Sequence, residues 1–350
     1  MKICPHFGAC GGCSLQDLTP DAYRAKKRDA VVAALKRAGV EAMVEEPVIV
    51  PPRSRRRAVF KIKSLPKGLH VGFHAAKSHT VIDMHHCDVL TPGLFALVDV
   101  LRQQLEPLFG VGETAELHVT ETDTGFDCAF RWRAQLAPTL RAALSVALSG
   151  LGIARLTMGR EIVFETAQPS VTLGGVKISL PPNPFLQSTA EGEAALQARV
   201  LEAVGKAKTV ADLFAGCGTF ALPLARKAKV HAVEQDSAAL AALAAAARAP
   251  GLKPLTTEIR DLFKLPLAPV ELIAYDAVVL DPPRAGAEAQ AKALAKSRVP
   301  AIAYISCDAA SFARDAALLT GGGYRMGPVT PIDQFLWSSH IELAGSFRRP

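Results

Sequence analysis

The chain has 350 residues, 49% hydrophobic and 21% charged, long enough for two domains and too apolar for wholesale disorder. Its net charge of +7 suggests a polyanionic partner, while the amino terminus lacks the apolar core of a secretory signal and the longest alanine-rich run, Ala238 to Ala249, is too short and weakly apolar to span a bilayer. Seven cysteines, an odd number without the spacing of a small disulfide scaffold, point to a cytoplasmic protein with reduced or metal-bound thiols.

In chain order, Met1 to Gln16 carries three cysteines among Gly and Pro and reads as a loop. Thr19-Pro20-Asp21 is a helix start with Pro20 in the first turn, and Ala22 to Ala38 repeats apolar residues at helical spacing. From Val44 to about Ser179 short strand-like runs dominate: Val59 to Ile62, Leu69 to Phe73, Leu117 to Thr120, Phe126 to Phe130 and Val176 to Leu180. Two helical stretches interrupt them, around Leu94 to Leu108 and Leu140 to Leu148, and Pro181-Pro182-Asn183-Pro184 reads as a hinge. Beyond it helices (Glu191 to Gly205, Thr219 to Lys227, Ser237 to Arg248) alternate with strands (Thr209 to Phe214, Val230 to Val233, Leu255 to Ile259, Ala277 to Leu280, Ala301 to Ile305). That alternation predicts a doubly wound α/β domain.

Two features place chemistry at the carboxyl edge of its sheet, where such folds bind ligands. The first is the strand-to-helix loop Asp212-Leu213-Phe214-Ala215-Gly216-Cys217-Gly218-Thr219, in which Gly216 and Gly218 permit a tight turn against a ligand. Glu234 ends the next strand, where an acid accepts both ribose hydroxyls, and Asp261 follows the third strand at the height of an adenine. Gly216, Gly218 and Ala221 also satisfy the dinucleotide fingerprint, so NAD competes. Asp212, which would repel a pyrophosphate, and the later Asp281-Pro282-Pro283-Arg284 favour S-adenosylmethionine.

The second feature is Cys307, which closes the apolar run Ala301 to Ser306, beside the rigid Asp281-Pro282-Pro283-Arg284 turn. A helix starting near Ala309 would aim amide dipoles at the sulfur and lower its pKa. Phe335 to Glu342 reads as strand-like, bringing His340 as an orienting group and Glu342 as a general base. The bland alternatives are a packed core thiol for Cys307 and an ion-paired surface acid for Glu342.

Eight blocks occur in one order: Cys4-x5-Cys10-Gly11-Gly12-Cys13, Arg55-Arg56-Arg57-Ala58, His86-Cys87-Asp88-Val89-Leu90, Phe185-Leu186-Gln187, the Asp212 to Phe220 loop, Asp281-Pro282-Pro283-Arg284, Ser306-Cys307-Asp308 and His340-Ile341-Glu342. Over nearly the whole chain this resembles the RNA 5-methyluridine (uracil-5) methyltransferases, most closely the iron–sulfur-containing 23S rRNA type. The resemblance implies a Rossmann-like S-adenosylmethionine-dependent catalytic domain at residues 20–47 and 184–350. It implies a smaller β-rich iron–sulfur domain that contacts RNA at residues 1–19 and 48–183. It makes Cys307 the nucleophile that adds to carbon 6 of uracil and Glu342 the base that removes the carbon-5 proton. It places Gln187, Phe214, Gly216, Gly218, Thr219, Glu234, Asp261 and Asp281 around the cofactor or target base. The chain departs from the family's habit at Ala215, Thr189, Thr219 and Phe335 to Ser339.

By spacing alone, Cys4, Cys10, Cys13 and Cys87 suit zinc and an iron–sulfur cluster equally. The resemblance tips the choice to a structural 4Fe–4S cluster, leaving Cys128 and Cys217 as packing residues. Between Pro51 and Ile82 stand eight Lys or Arg and no acid (Arg53, Arg55, Arg56, Arg57, Lys61, Lys63, Lys67, Lys77), which predicts a phosphate-tracking surface. The chain begins almost at the cysteine motif, without room for the RNA-binding barrel that some relatives carry in front. The combined expectation is a monomeric, cytoplasmic RNA uridine carbon-5 methyltransferase acting on 23S rRNA, with no membrane partner. A transfer-RNA enzyme and a non-catalytic iron–sulfur RNA-binding protein are the alternatives.

Overall fold

The Thr19 hydroxyl accepts the Ala22 amide and Pro20 takes the first helical position, so helix α1 (Pro20–Arg37) starts where capping chemistry predicts. The protein is described here by a computed structural model covering residues 3–350. After α1 come β1 (Val48–Ile49), β2 (Arg57–Leu65), β3 (Gly68–His74), β4 (Val81–Asp83) and α2 (Pro92–Leu105), which runs into a short 3₁₀ turn. Next are β5 (Thr114–Thr122), β6 (Gly125–Trp132), α3 (Pro138–Leu148), β7 (Ile153–Met158), β8 (Glu161–Glu165), β9 (Ser170–Leu173) and β10 (Val176–Ser179). The carboxyl-terminal half holds α4 (Ala190–Val204), β11 (Thr209–Leu213), α5 (Ala221–Ala225), β12 (Lys229–Glu234), α6 (Ser237–Ala246), β13 (Leu255–Ile259) and α7 (Pro269–Leu272). It closes with β14 (Ala277–Leu280), α8 (Glu288–Ala295), β15 (Ala301–Ser306), α9 (Ala309–Gly321), β16 (Arg325–Asp333) and β17 (Glu342–Arg348).

Two sheets result. The smaller, in the order β4-β3-β2-β5-β6-β7-β8, is antiparallel except for the β6–β7 pair. One face of β2 turns Ala58, Phe60 and Ile62 inward, and α2 covers that face with Leu94, Leu97, Val98, Leu101 and Leu105. This half-buried surface produces the period-two pattern visible in the sequence. The larger sheet runs β1-β16-β17-β15-β14-β11-β12-β13. Its central strands β14 and β15 are buried along their whole length, so they read as unbroken apolar runs. Side chains of α4, α5 and α6 fill one face, and those of α1, α8 and α9 the other. Strand order reverses between β11 and β14, each parallel to the other, which opens the ligand crevice there.

Four expectations change. Val48 pairs with Ile332, so β1 belongs to the larger sheet and not to the β-rich domain expected from residue 48 onward. The β9–β10 hairpin packs Val171, Leu173, Val176 and Ile178 into the catalytic core, although the expected boundary lay at 183. A two-residue strand carries no periodicity, and an alternating hairpin does not announce which core it joins. The helix expected over Thr219 to Lys227 shrinks to α5, and Phe335 to Ile341 forms a loop, with β17 starting only at Glu342. No helix among the described residues is long and apolar enough to cross a membrane.

Arg155 on β7 ties the small sheet to the segment leading into the catalytic half. Its Nε and Nη2 donate to Asp127 Oδ1 and Oδ2 at 2.9 and 2.8 Å, and its remaining donors reach the Leu180 and Pro181 carbonyls at 3.1 and 2.8 Å. Both side chains are buried, 2% and 3% exposed. Arg155→Met would strand the Asp127 carboxylate in a dry site, so urea unfolding should show a loss of about 3–5 kcal/mol.

Candidate active site

The loop after β11 makes its turn with Phe214, Gly216 and Gly218 at φ of +64°, +52° and +93°. The Phe214 and Ala215 amides donate to the Val233 carbonyl at 3.0 and 3.1 Å, holding the loop against β12. At the end of β12, Glu234 Oε2 accepts the Gly216 amide at 3.0 Å, and Oε1 accepts the Gln235 and Asp236 amides at 2.7 and 2.9 Å. A Cβ on Gly216 would meet nothing within 4 Å, whereas one on Gly218 would lie 2.4 Å from Leu243 Cδ1. Gly218 therefore serves helix packing, and Gly216 leaves open space for a ligand beside backbone and carboxylate. The Phe214 and Phe263 rings stand 5.5 Å apart at this edge. Asp261 Oδ1 accepts the Phe263 amide at 3.1 Å and so sets that ring in place. The Thr219 carbonyl accepts Gln197 Nε2 at 2.9 Å. Asp212 is fully buried with both oxygens unpartnered, and burial together with Asp281 raises its carboxyl well above the ordinary range. An open crevice with a ribose-height acid, an aromatic pair and an uncompensated buried carboxylate fits a cationic nucleoside such as S-adenosylmethionine and opposes a pyrophosphate.

Cys307 leaves β15 one residue after Ser306, which is in register with Leu343 of antiparallel β17. The next step of that register puts Cys307 across from Glu342, the first residue of β17. Burial, then Glu342 and Asp281, push the thiol up to about 11, with Arg284 opposing. Burial outweighs the depression expected from the start of α9, where Asp308 Oδ1 caps the Ala310 and Ser311 amides at 3.0 and 2.8 Å. Burial and Asp281 raise Glu342 to about 8, and burial alone raises Asp281 to about 7. His340 stands at the rim, its Nδ1 3.3 Å from Arg284 Nη2.

An amide chain joins these acids. Gln187 Nε2 donates to Asp281 Oδ2 at 3.3 Å, and Gln334 Nε2 to Gln187 Oε1 at 2.6 Å. Gln334 Oε1 accepts the Ser188 amide at 2.9 Å, and its side chain lies beside Glu342, whose charged form it favours. The Gln187 segment is gripped from the small sheet. Arg57 donates to the Leu186 and Pro184 carbonyls, and Arg56 to the Gln187 carbonyl at 3.2 Å and to Glu193 at 2.8 Å. This corrects the reading of the basic stretch as one phosphate-tracking face. Arg56 and Arg57 point inward, Arg53 pairs with Asp88, and Lys61 pairs with Glu116. Of the eight, half-buried Lys63 and exposed Lys67 and Lys77 form no ion pair or side-chain hydrogen bond among the described residues. Gln334 carries no sequence signal that singles it out, and the Arg55-Arg56-Arg57-Ala58 block, visible in the sequence, did not show that Arg56 and Arg57 would clamp carbonyls.

Cys4, Cys10, Cys13 and Cys87 line one cavity of about 940 Å³ that extends to Arg284, Phe335 and His340 at the edge of the site. The Gly12 amide donates to Cys10 Sγ at 3.4 Å. Burial, followed by the other three thiols, pushes Cys13 up to about 12. Among the described residues no three His, Cys, Asp or Glu side chains gather closely enough to hold a metal ion. Cys128 and Cys217 are buried in packing positions.

Residues 132–348 match the family described as tRNA (Uracil-5-)-methyltransferase. An uncharacterized RNA methyltransferase of Brucella suis biovar 1 is 47% identical over 340 residues, covering 97% of this chain and 82% of the relative. The chain belongs to the tRNA (uracil-5-)-methyltransferase family. It is thus an RNA (uracil-5-)-methyltransferase that uses S-adenosylmethionine. Another relative, the 23S rRNA (uracil(1939)-C(5))-methyltransferase RlmD of Halomonas elongata, is 34% identical, covering 97% of this chain and 74% of its own. The Pyrococcus abyssi tRNA (uracil-54, C5)-methyltransferase in complex with S-adenosyl-L-homocysteine superposes with a TM-score of 0.75 at 21% identity, over 96% of this chain and 85% of that one. At that identity the likeness establishes the shared fold.

For this methyltransferase, replacing Lys63, Lys67 and Lys77 together by Ala should reduce the salt-dependence slope of RNA binding by about 2. Arg57→Met should leave the slope unchanged, because its charge is spent on carbonyls inside the protein. Filter binding across a salt series distinguishes the two variants.

Proposed function

We propose that this enzyme methylates carbon 5 of one uridine in 23S rRNA, with Cys307 as nucleophile and Glu342 as base. The observation that carries the reading is the β15–β17 register, which sets thiol and carboxylate side by side at the ligand edge next to Asp281 and Arg284. Carbon 5 of uracil is a weak nucleophile. When the Cys307 thiolate forms a bond to carbon 6, the electron pair of the ring double bond moves to carbon 5 and the carbonyl, as an enolate. Bound S-adenosylmethionine supplies an electrophilic methyl group to that carbon. Glu342 then takes the carbon-5 proton, the double bond re-forms, and Cys307 leaves as the thiolate. The net change at the base is methyl for hydrogen, with the proton on Glu342. A carboxyl held near 8 suits a base at neutral pH, ionised in part and strong enough to accept a proton from carbon.

In this reading Phe214, Gly216, Gly218, Thr219, Glu234 and Asp261 wall the cofactor crevice, and Gln187 with Asp281 offers a donor and an acceptor where cofactor and base meet. The 23S target is supported by the named relative at 34% identity, whose match covers 97% of this chain. A transfer-RNA target rests on the family description and on a fold neighbour at 21% identity. The four cysteines around one cavity fit a 4Fe–4S cluster, a body wider than a single ion, bound by soft thiolates. It would staple the amino-terminal loop to the segment after β4.

Incubation with labelled S-adenosylmethionine and total RNA should give 5-methyluridine in 23S rRNA. Cys307→Ala should abolish transfer, and Glu342→Gln should trap a protein–RNA adduct stable in denaturing gels. Full turnover by Cys307→Ala would refute the nucleophile, and label confined to tRNA would move the target. Anaerobically purified protein should carry about four iron and four acid-labile sulfide per chain. Iron-free protein with stoichiometric zinc and full activity would overturn the cluster.

A further inference from the structure

Lys27 sits on the buried face of α1, remote in sequence from every residue of the active site. Its Nζ donates to Asp333 Oδ1 at 2.8 Å and to the His340 carbonyl. Asp333 is the last residue of β16, and His340 lies two residues before Glu342, where β17 begins. One ammonium thus bridges both ends of the 334–341 loop, with Lys27 and Asp333 side chains only 2% and 0% exposed. One turn earlier on the same helix face, Tyr23 donates its hydroxyl hydrogen to Asp333 Oδ2 and accepts the Trp337 amide at 2.7 Å. Asp333 Oδ1 also accepts the Phe335 amide at 3.2 Å.

The middle of the loop is held from the cysteine-bearing segment. Ser14 and Leu15 amides donate to the Trp337 carbonyl at 2.8 and 3.0 Å, and Leu15, Tyr23 and Leu336 pack together. Trp337 is left-handed, with φ of +58°, a conformation a bulky residue keeps only when its surroundings impose it. Gln334, just inside one end of the staple, hydrogen-bonds Gln187 and stands beside the Glu342 carboxylate, whose charged form it favours. The backbone of Glu342 pairs with Ile332, next to Asp333. A shift of either loop end therefore moves the carboxylate or the amide that orients it.

We propose that Lys27 is a positioning residue for the proton-abstraction step: it closes the 334–341 loop through Asp333 and the His340 carbonyl and so sets Glu342 over the uracil bound by Cys307. The inference rests on the reading of Glu342 as the base. A buried ion pair contributes little net stability compared with an apolar pair of similar volume, yet it specifies register through directed bonds. Lys27 uses its donors on the two points whose separation defines the loop. It supports the second half of the reaction, after addition of Cys307 and methyl transfer. Impairing it should leave those earlier events in place.

The test is the double variant Lys27→Met with Asp333→Asn, which removes the staple without leaving a lone buried charge. Tyr23→Phe serves as a milder second variant that keeps the ion pair. Unaltered protein, Glu342→Gln and both variants are compared by melting temperature, S-adenosylmethionine affinity, turnover and the amount of adduct on denaturing gels. The double variant should keep its melting transition and cofactor affinity and lose about 10²-fold in turnover, the effect of a misplacement near 1 Å. It should accumulate the RNA adduct as Glu342→Gln does, and Tyr23→Phe should shift in the same direction by less. Normal turnover of the double variant, beside a trapped adduct in Glu342→Gln, overturns the positioning role alone. So does a loss of adduct and cofactor binding in proportion to turnover, the mark of a merely structural role. If unaltered protein forms no 5-methyluridine, the functional reading fails and the inference with it.

Discussion

The antiparallel insertion of β17 between β15 and β16 is the constraint on which the site depends. The parallel strands deliver Leu213, Glu234, Asp281 and Cys307 at or just beyond their carboxyl ends. A further parallel strand would have put its first residue at the opposite edge of the sheet. Because β17 runs the other way, its first residue, Glu342, lies at the same edge as Cys307, and the Ser306–Leu343 register fixes the spacing. Acid and thiol, separated in the chain by α9 and β16, meet because of strand direction.

That meeting creates an electrostatic imbalance. Asp212 and Glu342 are buried, Asp281 is half-buried, and all three are raised, with Arg284 the cation that opposes them at Cys307. In a low-dielectric pocket, carboxylates that repel one another stay partly protonated until a positive charge arrives. A sulfonium cofactor provides such a charge, and a pyrophosphate provides the opposite one. In the proposed reading, the burial that raises the Cys307 thiol also holds Glu342 near neutrality, where a base serves best.

The small sheet contributes position as well as surface. Arg155 fastens it to Leu180 and Pro181, while Arg56 and Arg57 hold the backbone around Gln187. The amino-terminal segment grips the loop on the other side of the same network through Ser14, Leu15, Tyr23 and Lys27. Gln187 and Gln334, which touch each other, are thus each supported from a different body of the fold. The lysines that remain unpaired, half-buried Lys63 and exposed Lys67 and Lys77, offer RNA a smaller positive face than the count of basic residues implied.

The sequence by itself determined the α/β alternation, the cap of α1, the strand ends carrying Glu234, Asp281 and Cys307, and the glycine loop, because each is encoded by local periodicity or turn chemistry. It did not show β1 or the β9–β10 hairpin as parts of the catalytic body, since strand pairing is a long-range choice with no local trace. The eight basic residues looked alike in the chain, and only tertiary structure separated arginines that clamp carbonyls from lysines that face solvent. The anticipated acidic thiol became a raised one because burial, together with Glu342 and Asp281, outweighs any help from the start of α9. Side-chain charge is written in the sequence. Its neighbours, and hence its pKa and its task, are decided by the fold.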